Sequence, residues 1–135
     1  MGSEFQLKVV TPDGAVMDKP VRSLSVTTGA GEITILPEHR LLLSSLEPGP
    51  MTAESSDESD AFVLDTGFLE VGPNHANIIA DRCVKVADLD REQIDAEIKR
   101  LETKLEDADP DDPVTAAAQA RLSFALACRL QSLRS

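Results

Sequence analysis

The sequence predicts an α+β fold, in which an N-terminal antiparallel β-sandwich (a flattened barrel) over residues 1–87 is followed by a C-terminal antiparallel α-helical hairpin over residues 88–135. In the first part, short apolar runs alternate with turn residues, a pattern typical of sandwiches. In the second part, apolar residues recur at helical spacing. A stretch rich in aspartate and proline divides that second part into two helices.

Short strands are expected throughout the first part. Residues 6–10 form an apolar-rich strand that ends at the turn sequence Pro-Asp-Gly at 12–14. Leu24 and Val26 alternate with polar neighbours, which is the period of a half-buried strand. The acidic stretch 52–60 has little to bury and is expected to be a hairpin tip with frayed strands. The other strand candidates are 62–64, 68–71, 76–80 and 84–86.

The segment 28–39 contains the most informative motif of the chain. A Gly-Ala-Gly-Glu turn leads into an apolar run, and Pro37 stops that run before His39. Glycine adopts positive φ easily, and proline cannot donate to a strand ladder. We therefore expect a rigid loop that presents Glu32 and His39 near one edge of the β domain. Either residue could serve in binding, or Glu32 could be an ordinary turn acid and His39 a capping or core-edge histidine.

Two helices are expected in the second part. Asp90 can cap the first helix, with Gln93 at the reciprocal position of a capping box. The acidic stretch 107–113 ends that helix, and its acids are placed to cap the start of the next one. Pro113 suits the first position of this second helix, which is expected over about 113–133. The alanines of the second helix either allow close packing or simply favour helix. The apolar stripe of the first helix consists of Ile94, Ile98, Leu101 and Leu105.

Composition and charge limit the classes of function. The formal net charge of −11 argues against binding to nucleic acid and against unaided adsorption to anionic lipid, because like charges repel. No apolar run approaches the roughly 20 residues that a membrane-spanning helix needs, so no direct membrane insertion is expected. The acidic surface itself is explained by solubility alone or by a basic partner.

The cysteines and histidines do not form a recognisable metal or catalytic motif. Cys83 and Cys128 lie far apart, which suits free thiols in a reducing compartment. A zinc site that combined them with His39 and His75 would lack any ligand-pair spacing, so no metal is expected. The sequence also shows no Ser-His-Asp order, no P-loop and no paired carboxylates in a hydrophobic setting, so an enzyme is not expected.

Several short motifs follow one another along the chain. They are Leu-Lys-Val-Val-Thr-Pro-Asp-Gly at 7–14, the glycine turn through His39, Leu-Glu-Pro-Gly at 46–49, Gly-Phe-Leu-Glu-Val at 67–71, Ile-Ala-Asp at 79–81 and Asp-Leu-Asp at 88–90. In this order they resemble the epsilon subunit of F-type ATP synthases, and the similarity covers nearly the whole chain in register. The chain departs from the family pattern at Thr34-Ile35, where glycine and an aliphatic residue are usual, and at Arg40-Leu41-Leu42, where Ala-Pro-Leu usually follows the histidine.

This resemblance implies a non-catalytic rotor subunit of the central stalk. The sandwich would contact the gamma subunit and the c-ring, with Glu32 and His39 as the c-ring contacts. The hairpin would lie folded or extend toward the alpha/beta catalytic head and inhibit ATP hydrolysis. The expected location is peripheral, on the cytoplasmic face of the bacterial inner membrane, with the stromal face of the thylakoid as the alternative.

Some members of the family bind a regulatory ATP at the hairpin, and the candidate residues here are Leu89, Asp90 and Arg129. Gln93 and Ile94 stand where the family motif has arginine and alanine, which removes the cation that would face a phosphate. No cofactor is therefore expected, and Asp90 is then explained as a helix cap. The alternative to a rotor subunit is a stand-alone adaptor, with the sandwich as a platform and the hairpin as a partner-binding helix pair.

Overall fold

The structure, a computed structural model, describes residues 3–133. The chain divides into two compact units between Lys85 and Val86, two residues before the predicted boundary. The first unit contains all the strands, and the second contains all the α-helices. Each unit is described here by itself.

Ten strands form the first unit. They pair in the order β10-β7-β6-β3-β5-β8-β9-β1-β2, and β4 lies on the other side of β3. Their bounds are β1 Phe5–Thr11, β2 Gly14–Val21, β3 Ser23–Thr28, β4 Gly31–Ile35, β5 Leu42–Leu46, β6 Gly49–Glu54, β7 Ser59–Leu64, β8 Gly67–Val71, β9 His75–Ala80 and β10 Cys83–Lys85.

The strands form two layers, as the sequence predicts. A single residue pair, Thr28 with Leu46, joins β3 to β5 and so connects the layer that contains β4 and β6 with the layer that contains β8 and β9. One expectation is wrong, because the sheet is not antiparallel throughout. Strand β9 pairs in parallel with β1, from Gln6 opposite His75 to Val10 opposite Ile79. Strand β2 pairs with one side of β1 and β9 with the other.

Alternating residues of both layers form one continuous core. Leu24 and Val26 of β3 are completely buried, as their alternation predicts. The opposite layer contributes Leu7, Leu69 and Ile78, which are also fully buried. Every member of this core cluster belongs to the first unit.

The prediction of frayed strands at 52–60 is wrong. Strands β6 and β7 pair along their whole length, from Gly49 opposite Leu64 to Glu54 opposite Ser59. The acidic tip is stabilised by a cation from elsewhere in the sheet, because Lys19 of β2 forms ion pairs with Glu58 at 2.7 Å and with Asp60. That interaction joins residues about 40 positions apart and leaves no local signal in the sequence.

The second unit is a helical hairpin. A 3₁₀ turn, Val86–Asp88, is followed by α1, Arg91–Leu105, and α2, Pro113–Ser132. Ile98 and Leu101 are the buried members of the predicted stripe on α1, whereas Ile94 and Leu105 are half-buried. The buried residues of α2 are Thr115, Ala118, Phe124, Ala125 and Cys128.

Aspartates cap both helices at the expected positions. The Asp90 carboxylate accepts hydrogen bonds from the backbone N–H of Glu92 (3.0 Å) and of Gln93 (3.3 Å). Asp112 accepts one from the N–H of Val114 (2.9 Å), and Pro113 takes the first helical position. These acceptors satisfy N–H groups that have no partner within the helix.

Candidate functional site: an edge strand and an apolar sheet face

A tight glycine turn sets the position of Glu32. The two residues Gly29 and Ala30 connect β3 to β4, and Thr28 pairs with Gly31 at the end of the ladder. Gly31 has a φ of +114°, a backbone conformation that side chains disfavour. The Thr28 hydroxyl donates to the Gly31 carbonyl (2.8 Å) and accepts from the Ala30 N–H (3.1 Å). These two hydrogen bonds hold the turn in one conformation. Glu32, the second residue of β4, is exposed.

His39 lies beyond the other end of β4. Glu38, just before it, has a positive φ of 63° and donates its N–H to the carbonyl of Pro73 at 2.9 Å. The half-buried His39 ring contacts the carbonyl of Arg40 through Nδ1 at 2.8 Å. This places His39 beside the turn between β8 and β9.

The expectation that one loop presents both residues is wrong. Glu32 lies at the end of the sandwich where Thr28 meets Leu46, whereas His39 follows Glu38 to the opposite end at Pro73. Residues up to Ile35 continue the ladder with β3, so a strand separates the two sites rather than a compact loop. The three residue steps from Glu32 to Ile35 alone span about 10 Å of extended chain.

A second feature, which the sequence analysis does not predict, is an exposed apolar face on the outer side of β5, β8, β9 and β1. Leu43, Phe68 and Ile79 are 75%, 62% and 62% exposed. Phe68 lies opposite Ile79 in the ladder, and Ile79 lies opposite Val10. We call Leu43, Phe68, Ile79 and Val10 the outer apolar face. Contiguous exposed apolar residues of this kind typically mark an interaction surface.

Polar side chains border the outer apolar face. Glu70 lies opposite both Leu43 and Asn77 in the ladder, and its carboxylate accepts from the Asn77 amide at 3.1 Å. His75 Nε2 lies 3.3 Å from the same carboxylate oxygen. A shallow depression lies among these residues, with Lys8 at its edge. The alternation of Phe68 and of Ile79 with buried neighbours indicates strands, but it cannot show that these two strands are neighbours and place both side chains on one side of the sheet.

The candidate nucleotide-binding residues are engaged within the hairpin. The Asp90 carboxylate caps α1, and the Leu89 N–H donates to the carbonyl of Val86 at 3.2 Å. Arg129 of α2 approaches Asp95 of α1, with 3.9 Å between guanidinium and carboxylate. The arrangement offers no cluster of cations for a triphosphate at these three positions.

Neither thiols nor metal ligands form a further site in the part of the chain that the structure describes. Residues 3–133 contain no group of three His, Cys, Asp or Glu side chains placed to hold a metal ion. No disulfide joins Cys83 to Cys128. Burial raises the pKa of the Cys83 thiol from 9.0 to about 11, which keeps it protonated and unreactive at neutral pH. Over the same described residues, no helix is long and apolar enough to span a membrane.

The β-sandwich, the helical hairpin and a family model together define the class of protein. Residues 4–86 match the model of the β-sandwich domain of the ATP synthase delta/epsilon chain. The chain is 33% identical over 127 residues to the ATP synthase epsilon chain of Hydrogenovibrio crunogenus, covering 94% of this chain and 88% of that one. It is 33% identical over 110 residues to the epsilon chain of Lacticaseibacillus casei, covering 79% and 77% of the two chains.

The chain belongs to the epsilon chain family of ATP synthase, as its motifs predict. It is accordingly a non-catalytic subunit of that complex, and the expectation from the resemblance is confirmed in this respect.

Solved structures of other chains share the fold, and two of them illustrate the similarity. A chain of the Euglena gracilis mitochondrial ATP synthase is 20% identical, with a TM-score of 0.81 over 98% of this chain and 82% of its own length. A chain in the central stalk and c-ring structure of the Tetrahymena thermophila mitochondrial ATP synthase is 18% identical, with a TM-score of 0.64 over 95% of this chain and 96% of its own. The predicted fold class is confirmed by this architecture.

Proposed function

We propose that this subunit joins the gamma subunit to the c-ring in the central stalk, and that its hairpin inhibits ATP hydrolysis. The outer apolar face is the observation that best supports a contact with gamma, because three of its large apolar side chains are more than 60% exposed on one sheet. The burial of such a surface against a partner is favourable by about 25 cal/mol per Å² before the entropic costs of association. One of the two structural neighbours comes from a central stalk and c-ring assembly.

A charged substitution on the outer apolar face tests the gamma contact. Phe68→Glu is expected to weaken binding to the isolated gamma subunit by about 30-fold, roughly 2 kcal/mol, because the carboxylate must be buried. Ala61→Glu is the control, since Ala61 is exposed on β7 in the other layer and outside both proposed contact surfaces. Equal loss with both variants, or none with Phe68→Glu, would reject the outer apolar face as the gamma contact.

The c-ring contacts are proposed separately for Glu32 and His39. A carboxylate on a rigid strand can accept a charge-assisted hydrogen bond from a basic loop residue. Because the two residues lie at opposite ends of β4, they make two independent contacts. Cysteine crosslinking from position 32 and from position 39 should each capture c subunit in the assembled enzyme. Capture of gamma alone at either position would remove that residue from the c-ring contact.

The inhibitory role belongs to the hairpin. The full chain is expected to lower the ATPase rate of its cognate complex, and a chain that ends after Asp88 is expected to bind without lowering it. The division of the chain between Lys85 and Val86 supports this, since it separates the hairpin from the sandwich as a unit of its own. Equal hydrolysis with both chains, at equal occupancy, would reject inhibition.

We further propose that the hairpin works without bound nucleotide. Asp90 serves as a cap and Arg129 interacts with Asp95, so neither is held ready for ATP. Calorimetry with millimolar ATP is expected to show no heat of binding, and a saturable signal would contradict this.

The proposed location is the cytoplasmic face of a bacterial inner membrane, to which the ATP synthase complex would attach this subunit. The two epsilon-chain relatives described above come from bacteria. Co-purification from native membranes separates the rotor subunit from a stand-alone adaptor. Recovery of gamma and c subunits supports the rotor, and their absence favours the adaptor.

A further inference from the structure

Strands β3 and β4 form an antiparallel ladder from Leu24 opposite Ile35 to Thr28 opposite Gly31. In an antiparallel pair, hydrogen-bonded and non-hydrogen-bonded residue pairs alternate. The two-residue turn makes Thr28 and Gly31 a hydrogen-bonded pair, so Ile33 is also bonded to β3, whereas Glu32 and Thr34 are not. The N–H and C=O groups of Glu32 and Thr34 therefore point away from β3. Among the described residues, none of these four groups has a hydrogen-bond partner.

Three strands have one side with which no described strand pairs, and β4 is the least protected of them, since its one charged side chain, Glu32, lies next to the turn. Strand β2 contains Pro20, has an irregular register opposite Val9 and Val10, and directs Lys19 into two ion pairs. Strand β10 has only three residues. Proline, bulges, charged side chains and shortness are the usual devices that keep a sheet edge from pairing. Strand β4 has five residues, no proline, no lysine and no bulge.

The side chains along β4 specify what could pair there. Glu32 and Thr34 are exposed on one side of the strand, with Leu36 just beyond its end at 56% exposure. Ile33 is half-buried on the other side and packs against the core. An added strand would need a basic residue near Glu32, an apolar residue near Leu36 and small apolar residues beside Ile33.

We propose that the free edge of β4 binds an extended, basic segment of a partner subunit of ATP synthase by strand addition. Main-chain hydrogen bonds to Glu32 and Thr34 would provide affinity, and the side chains named above would provide selectivity. The inference rests on the proposed function in that the segment belongs to a subunit of the rotor. It goes beyond that function by giving the contact a specific backbone geometry.

Charge selects a basic partner over a second copy of this chain. Each copy has a formal charge of −11, and pairing of two β4 strands would bring two Glu32 carboxylates into one small sheet. Like charges across neighbouring strands are destabilising. A basic segment instead gains a charge-assisted contact with Glu32.

Amide hydrogen exchange at single-residue resolution tests the proposal on the unmutated chain. In the isolated chain, the amides of Glu32 and Thr34 should exchange about 100-fold faster than that of Ile33, since only Ile33 donates to β3. After incorporation into the complex with gamma and c-ring, the rates at Glu32 and Thr34 should fall at least about 10-fold, with Ile33 still slow. Unchanged rates in a complex that contains both partners would overturn strand addition and leave the rotor assignment intact.

A proline substitution tests the same bonds by affinity. Thr34→Pro removes an N–H that points away from β3, so the β3 ladder is preserved. Thr34→Ala is the matched control, because it also loses the 3.1 Å contact of the Thr34 hydroxyl with Ser25 but keeps the N–H. Binding is measured to an ATP synthase complex from which this subunit has been removed. The proline variant should bind that complex at least about 10-fold more weakly than the alanine variant. Equal affinities of the two variants would overturn the proposal.

Two further outcomes are distinguished in the same samples. Protection of Glu32 and Thr34 in the isolated chain, with a doubled mass in sedimentation, would assign the edge to a second copy and overturn a basic partner. Failure of the unmutated chain to co-purify with gamma and c-ring would overturn the proposed function, and the strand addition with it.

Discussion

At the scale of single residues, one ion pair joins the turn before β8 to the end of β9. Asp65 is buried, and its carboxylate accepts from Nε and Nη2 of Arg82 at 3.1 and 3.0 Å and from the Thr66 N–H at 2.7 Å. Arg82 is half-exposed, so its charge can be hydrated if the partner is removed. The Thr66 N–H would instead lose its acceptor.

We therefore expect Asp65→Ala to lower the free energy of unfolding by roughly 2–3 kcal/mol, toward the lower end for a broken buried pair. Asp81→Ala is the control, since Asp81 is exposed and accepts only a long hydrogen bond, 3.3 Å, from the Thr66 hydroxyl. This substitution should change the free energy of unfolding by less than about 0.5 kcal/mol. Urea denaturation of both variants measures the difference. Similar losses would show that Asp65 contributes no more than a surface acid.

The Cys83 thiol provides a prediction about pH. Its pKa is raised to about 11 by burial, above the value of 9.0 for an unperturbed thiol. The folded state thus holds the proton more tightly, so this contribution to stability is complete below pH 9 and is lost as the pH rises toward 11. At pH 8, iodoacetamide should react with Cys83 about 100-fold more slowly than with a free cysteine, because at a fixed pH the thiolate fraction falls about tenfold for each unit by which the pKa is raised.

The rate is best followed in a Cys128→Ala background, so that a single thiol reacts. The same chain unfolded in urea should titrate near the ordinary thiol value. A half-maximal rate near pH 9 in the folded protein would contradict the effect of burial.

At the scale of elements, the strands and helices differ in how far the sequence determines them. The hairpin was predictable because its caps, its proline and its stripe are all local, and Asp90 and Asp112 occupy the expected positions. Strands β2 and β5 carry no clear signal. Most of β2 is exposed or half-exposed, and β5 has the sequence Leu-Leu-Ser-Ser-Leu, in which apolar and polar residues do not alternate. Their positions depend on partners elsewhere in the chain.

The cap of α2 allows a matched pair of substitutions. Asp112→Ala should lower the stability of the hairpin by about 1 kcal/mol, since the N–H of Val114 loses its acceptor. Asp111→Ala removes the same charge at the same helix end, but the Asp111 carboxylate accepts no hydrogen bond among the described residues, so only a few tenths of a kcal/mol are expected. Thermal unfolding followed by circular dichroism at 222 nm measures both. An equal effect of the two would assign the stabilisation to charge rather than to capping.

At the scale of the whole molecule, the candidate site shows where local sequence information ends. The glycine turn and the exposure of Glu32 follow from residues within a few positions of each other. The separation of Glu32 from His39 depends on a backbone bond to Pro73, more than 30 residues away. The outer apolar face likewise requires β8, β9 and β1 to be neighbours, and the parallel pairing of β1 with β9 is a long-range feature. Local motifs were therefore enough to predict the family. The positions of Glu32 and His39 and the outer apolar face depend on strand pairings between distant parts of the chain.

The division into two units predicts that the sandwich folds without the hairpin. Its core cluster runs from Phe5 to Ala80, with Cys83 packed against it, and includes no residue of the second unit. A fragment of residues 1–87 should therefore unfold cooperatively in urea, with slow amide exchange at Leu24, Val26 and Leu69, all fully buried strand residues. The full chain is the control for the same amides. Fast exchange at all three positions, or a loss of the urea transition in the fragment, would show that the hairpin is required for the fold, and truncation after Asp88 could then not separate inhibition from folding.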